Sequence, residues 1–143
     1  MSSKDCHYLS GCLYFTANSL SRNMTEMARK EFVNVGLDPS YADLMVLIWE
    51  KPGLSQNELG QMMNLTPSTI TRFLDKMINQ GLVRKEQDGR TSFVYPTEKG
   101  EEKSLLIVKA LHHLYLRYCE ILGEDTAVKL TRDIYEANRK LEK

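Results

Sequence analysis

The chain has 143 residues, 42% of them hydrophobic and 27% charged, with 19 Lys and Arg against 19 Asp and Glu. That length suits one domain, and the apolar content excludes a disordered chain. The longest apolar run, Leu44–Trp49, falls far short of the roughly 20 residues a membrane span needs. Met1-Ser2-Ser3-Lys4-Asp5 opens no secretory signal, and three cysteines without a CxxC pair argue against a disulfide or zinc scaffold.

A single cytoplasmic domain over residues 1–143 is therefore expected. From about Tyr8 to Val33, Leu13, Ala17, Leu20, Met24 and Met27 form one apolar stripe on a helix that Gly36 stops. Asp38-Pro39 reads as N-cap and first position of a second helix, apolar on nearly every side and so buried, which Pro52-Gly53 ends. Ser55-Gln56-Asn57-Glu58 is a capping box for a short helix. Thr66 and Pro67 restart the pattern as N-cap and N1, and that helix runs to Gln80 before Gly81. Two helices joined by so short a turn are a helix-turn-helix.

Leu82–Gln87 and Arg90–Tyr95 read as strands around Asp88-Gly89, a type I′ hairpin signal. A loop at that dipeptide sets Gln87 opposite Arg90, Val83 opposite Val94 and Leu82 opposite Tyr95. Thr97 can cap the next helix, about Glu98 to Leu122. Its 25 residues span roughly 37 Å, against a radius of gyration of about 14–15 Å for a compact chain of this size. It carries two stripes, Ile107/Leu111/Leu114/Tyr118/Ile121 and Leu105/Val108/Tyr115/Cys119/Leu122, one for its own domain and one for a partner. Gly123 breaks it, and a last helix places Ala127, Leu130, Ile134 and Leu141 on one side. The expected fold is mainly α (α+β): a winged helix-turn-helix lobe at 38–97, with long N- and C-terminal dimerisation helices at 8–33 and 98–141.

At about 100° per residue, Ile70, Leu74 and Met77 share one side of the second helix of the pair. Ser68, Arg72 and Asn79 point the other way, with Thr69, Asp75 and Lys76 beside them. Arg pairs bidentately with guanine, Ser and Thr hydroxyls suit base edges or phosphates, and the helix N-terminus behind Thr66 suits a phosphate. Thr66–Tyr95 holds five basic residues against three acidic, a small excess. A polar outer face belongs to any surface helix, so the hairpin carries weight: Arg90 beside its turn suits a narrow minor groove, with Asp88 near enough to pair with it.

Leu54-Ser55-Gln56-Asn57-Glu58-Leu59-Gly60, Thr66-Pro67-Ser68-Thr69-Ile70-Thr71-Arg72, Gly81-Leu82-Val83-Arg84-Lys85, Asp88-Gly89-Arg90 and Thr97-Glu98-Lys99-Gly100 follow in order. Together they resemble the MarR family of winged-helix transcriptional regulators. The resemblance implies a homodimer on pseudo-palindromic double-stranded operator DNA, acting as a repressor. Pro67–Gln80 would be the recognition helix and Arg90 the wing tip. The implied contact set is Thr66, Pro67, Ser68, Thr69, Thr71, Arg72, Lys76, Asp88 and Arg90.

The resemblance also implies release by a small aromatic or anionic effector. Tyr8, Tyr14, Phe15, Tyr41 and Trp49 either line a cleft for it or pack as core. Cys12 and Cys119 resemble the pair used by the family's two-cysteine peroxide sensors; buried, inert thiols are the other reading. His7, His112 and His113 make no i, i+4 pair, so no metal is expected, and no cofactor. No nucleophile with a spaced base, Gly-rich phosphate loop or carboxylate pair marks an enzyme. A winged helix serving only protein–protein contact is the rival, and it would favour exposed aromatics or Leu where Arg72 and its hydroxyls stand.

Overall fold

Side chains start four helices in the computed structural model, which describes residues 7–142. The stretch Met1–Asp5, read above for a leader, lies outside them, as do Cys6 and Lys143. A 3₁₀ turn, Tyr8–Gly11, leads into α1 (Leu13–Glu31). Asp38 accepts from the Ser40 N–H ahead of α2 (Pro39–Glu50). Ser55 and Glu58 form a reciprocal capping box at 3.1 Å for α3 (Gln56–Met62). Thr66 accepts from the Thr69 N–H to start α4 (Pro67–Asn79), and Thr97 from the Gly100 N–H to start α5 (Glu98–Leu122). The last helix, α6 (Glu124–Leu141), follows Gly123, whose φ of 89° a side chain would strain. The single helix expected over 8–33 is thus shorter and interrupted: Cys12 is extended and its side chain caps nothing.

The hairpin departs from expectation in register. Strands β2 (Val83–Asp88) and β3 (Thr91–Pro96) pair Asp88 with Thr91, Lys85 with Val94 and Val83 with Pro96. Of the turn residues only Gly89 has positive φ, 60°, so Gly89-Arg90 form the loop in the pattern of a II′ turn, not Asp88-Gly89. The slip is by two residues, which leaves every side chain on its expected face. The sequence pattern did not announce β1 (Leu54–Ser55), which adds to β3 through Leu54 opposite Val94 and gives the sheet order β1-β3-β2.

One core runs through the lobe. Leu44, Met45 and Ile48 of α2, Leu59 of α3, Ile70, Leu74 and Met77 of α4, and Val83 and Val94 of the hairpin are buried together with Ile107 of α5. Backbone contact joins α5 to this lobe: the Thr97 N–H donates to the Leu82 carbonyl at 3.0 Å. A Cβ on Gly100 would overlap that same carbonyl oxygen and come within 3.2 Å of the Met45 methyl. Thr97 Oγ1 donates to the Gly81 carbonyl at 2.6 Å and Lys99 Nζ to the Gln80 carbonyl at 2.9 Å, so α5 also holds the end of α4.

Further along α5 the two expected stripes separate only in part, since Ile121 of the first is 69% exposed. Ile107 and Leu114 are buried within the chain, whereas Leu105 and Val108 of the second stripe are exposed. Helix α6 folds back with Ala127 buried, and Leu20, Met24, Tyr118, Leu122, Leu130 and Ile134 line an apolar groove between α1, α5 and α6. Among the described residues no helix is long and apolar enough to cross a membrane.

Candidate nucleic-acid interface

The recognition helix turns Ile70, Leu74 and Met77 into the core, as its periodicity predicts. Ser68, Arg72, Asp75, Lys76 and Asn79 are exposed. Its first turn is a hydroxyl cluster. Thr66 Oγ1 lies 2.9 Å from Thr69 Oγ1 and 3.3 Å from Ser68 Oγ, and takes the Thr69 N–H as well. Pro67 occupies the first helical position, where no N–H is missed. Thr66 and Thr69 are therefore committed to the cap.

Thr71 is committed too, in a way the sequence did not reveal. Its hydroxyl donates to the Pro67 carbonyl at 2.9 Å and accepts from Gln56 Nε2 at 2.6 Å, bracing α3 against α4. Gln56 also lines, with Ser55, Asn57, Thr91 and Ser92, the polar cleft into which Arg90 of the wing tip faces. The start of α3, the start of α4 and the hairpin turn thus share one side of the lobe. Gln56 and Asn57 were absent from the expected set because spacing along α3 carries no sign of what lies across from it.

Charges on this side are sorted. Asp75, the acidic residue on the outer face of α4, sits 3.9 Å from Lys85 of β2, while Arg84 pairs with Glu86 and lies 4.6 Å from the Tyr95 ring centre. The expected Asp88–Arg90 pair is not formed, since the turn begins after Asp88 and carries Arg90 at its centre. Among the described residues Arg72 and Arg90 have neither a salt bridge nor a side-chain hydrogen bond. Two guanidinium groups are therefore left for an outside partner.

The aromatics expected around an effector cleft do not converge. Tyr14 is 80% exposed, Phe15 meets the His7 ring edge-on, and Tyr41 stacks on Phe73 of α4 with ring centres 4.2 Å apart. Trp49 is half-buried on α2. A hollow of about 260 Å³ lies instead between the end of α1 and α5, lined by Glu31, Asn34, Val35, Leu106, Lys109 and His113 among others. Cys12 and Cys119 are half-buried free thiols. Tyr115 has a raised pKa, first through its hydrogen bond with the Cys119 side chain. No cluster of His, Cys, Asp and Glu suited to a metal occurs among the described residues.

A capped helix-turn-helix, a hairpin whose tip shares its polar side, and exposed apolar helices beyond them define a winged helix-turn-helix protein. The MarR family model matches residues 37–90, from just before α2 to the hairpin turn. It is 28% identical over 97 residues to the uncharacterized HTH-type transcriptional regulator YybA of Bacillus subtilis, covering 66% of this chain and 65% of that relative's length. It is 25% identical to CouR from Rhodococcus jostii RHA1 bound to p-coumaroyl-CoA, with a TM-score of 0.80 over 92% of this chain and 94% of that one. The fold also matches the transcriptional repressor CouR bound to a 23-mer DNA duplex, at TM-score 0.86 and 19% identity, over 96% and 98% of the two chains.

Proposed function

We propose that this chain is a cytoplasmic repressor that binds pseudo-palindromic operator DNA as a homodimer and is released by a small aromatic or anionic effector. The observation that carries the reading is the side shared by α4 and the wing, where Ser68, Arg72 and Arg90 are exposed and Asp75 lies near Lys85. Bidentate Arg72 suits guanine in the major groove, and a lone Arg at a hairpin tip suits the potential of a narrow minor groove. Thr66, Thr69 and Thr71 shape the helix start, where the Ser68 N–H is left to meet a phosphate.

A second copy is the natural cover for the terminal helices. Leu13 is 75% exposed, Tyr14 80%, Leu105 62% and Ile121 69%, more apolar surface than scattered exposure accounts for. Two lobes related by a two-fold axis would read an inverted repeat. For the effector, the hollow beside α5 offers the Lys109 ammonium and the His113 ring beside apolar Val35 and Leu106, a match for a carboxylate on an apolar body. One CouR structure holds p-coumaroyl-CoA, an aromatic acyl thioester on a phosphate-bearing carrier, which supports an aromatic or anionic effector.

The test is selection of bound duplexes from a random pool by the purified chain, with sedimentation of the free protein. An enriched inverted repeat with half-sites about 10 base pairs apart, and a dimer at micromolar concentration, are expected. A monomer, or a pool that enriches no sequence at low salt, overturns the reading.

A further inference from the structure

Tyr41 reaches across from α2 to the flank of the recognition helix. Its ring lies nearly parallel to that of Phe73, 17° between planes with centres 4.2 Å apart, and Lys76 Nζ lies 4.7 Å from its ring centre. Phe73 and Lys76 are one helical turn apart on α4, so a single ring from outside the motif touches both. Lys76 is exposed and forms no salt bridge among the described residues. On the helical projection it stands about 80° from Ser68, at the edge of the polar face and not at its centre. A cation there meets the wall of a groove, where phosphates are, rather than its floor.

We propose that Tyr41 is a positioning residue for the nucleic-acid interface, seating the Lys76 ammonium at the rim of the recognition helix so that it meets a backbone phosphate. The inference rests on the reading of this lobe as a DNA binder. A free lysine side chain samples many rotamers and loses that freedom on contact. A cation over an aromatic face restricts them beforehand, and an exposed pair of this kind is worth a factor of about two to five in population. The ring, not the phenol oxygen, does this, and Phe73 beneath it fixes the plane on which the ammonium rests.

The experiment is a double-mutant cycle on duplex affinity with Tyr41→Leu, Tyr41→Phe and Lys76→Ala, beside the proton shifts of the Lys76 terminal methylene in the free protein. Lys76→Ala is expected to lower the salt slope by about one. Tyr41→Leu should weaken binding about two- to five-fold in the parent and have no further effect in Lys76→Ala, and Tyr41→Phe should restore the parent affinity. The methylene protons should lie upfield in the parent and Tyr41→Phe and return to ordinary values in Tyr41→Leu. An upfield shift with additive losses overturns the positioning role while leaving DNA binding intact. An unshifted parent overturns it without reference to DNA. A parent chain that binds no duplex removes the reading beneath it.

Discussion

Replacing Gly100 by Ala sets two effects of opposite sign against each other. Ala in a helix interior is about 1 kcal/mol better than Gly, so propensity alone makes Gly100→Ala stabilising. At this position the new methyl would overlap the Leu82 carbonyl oxygen and press on the Met45 methyl at 3.2 Å. A backbone carbonyl held between the end of α4 and the first residue of β2 cannot swing aside as a lysine end would, and such overpacking costs about 1–3 kcal/mol. Leu82 O also accepts the Thr97 N–H at 3.0 Å, and moving it weakens a bond worth about 1 kcal/mol. The net is a loss of about 1–3 kcal/mol. Urea unfolding followed by circular dichroism, at one fixed protein concentration, measures it. A variant as stable as the parent, or more so, would refute the idea that α5 docks on the lobe through backbone contact.

Arg72→Ala should cost about 1–3 kcal/mol of duplex affinity and relax preference at one base pair, read by competition with single-base variants of the selected site. Arg90→Ala should weaken all duplexes alike and lower the salt slope by about one; equal loss of discrimination from both changes contradicts the assigned roles. The Asp43 carboxyl is raised from 3.8 to about 6, by burial first and then by the Asp38 charge. Its folded form prefers the proton, so its stabilising contribution is complete below about pH 4 and lost as pH rises through 6. Asp43→Asn should therefore gain stability on the parent between pH 4 and 7, and parallel stability curves for the two would refute the assignment.

Local chemistry was readable where one residue acts on its own turn. Asp38, Ser55, Thr66 and Thr97 cap the helices their spacing announces, and Ile70, Leu74 and Met77 face inward because the helical repeat leaves no other choice. The hairpin was legible as a hairpin but not in register: Asp88-Gly89 and Gly89-Arg90 are both allowed two-residue turns, and pairing with β1 enters only in three dimensions. The same limit hid the interface's supports. Gln56 reaches Thr71 across 15 residues, and Tyr41 finds Phe73 from another helix; neither partner is implied by the sequence around it.

An uninterrupted rod has a mechanical consequence. Helix α5 is gripped at its first turn by the Leu82, Gly81 and Gln80 carbonyls and runs on unbroken to Gly123. Tilting a 25-residue lever by about 5° carries its tip some 3 Å, about the gap between neighbouring phosphates along the axis of one DNA strand. Whatever clasps Leu116, Ile121 and Leu122 at the far end therefore holds the handle by which the whole lobe is aimed.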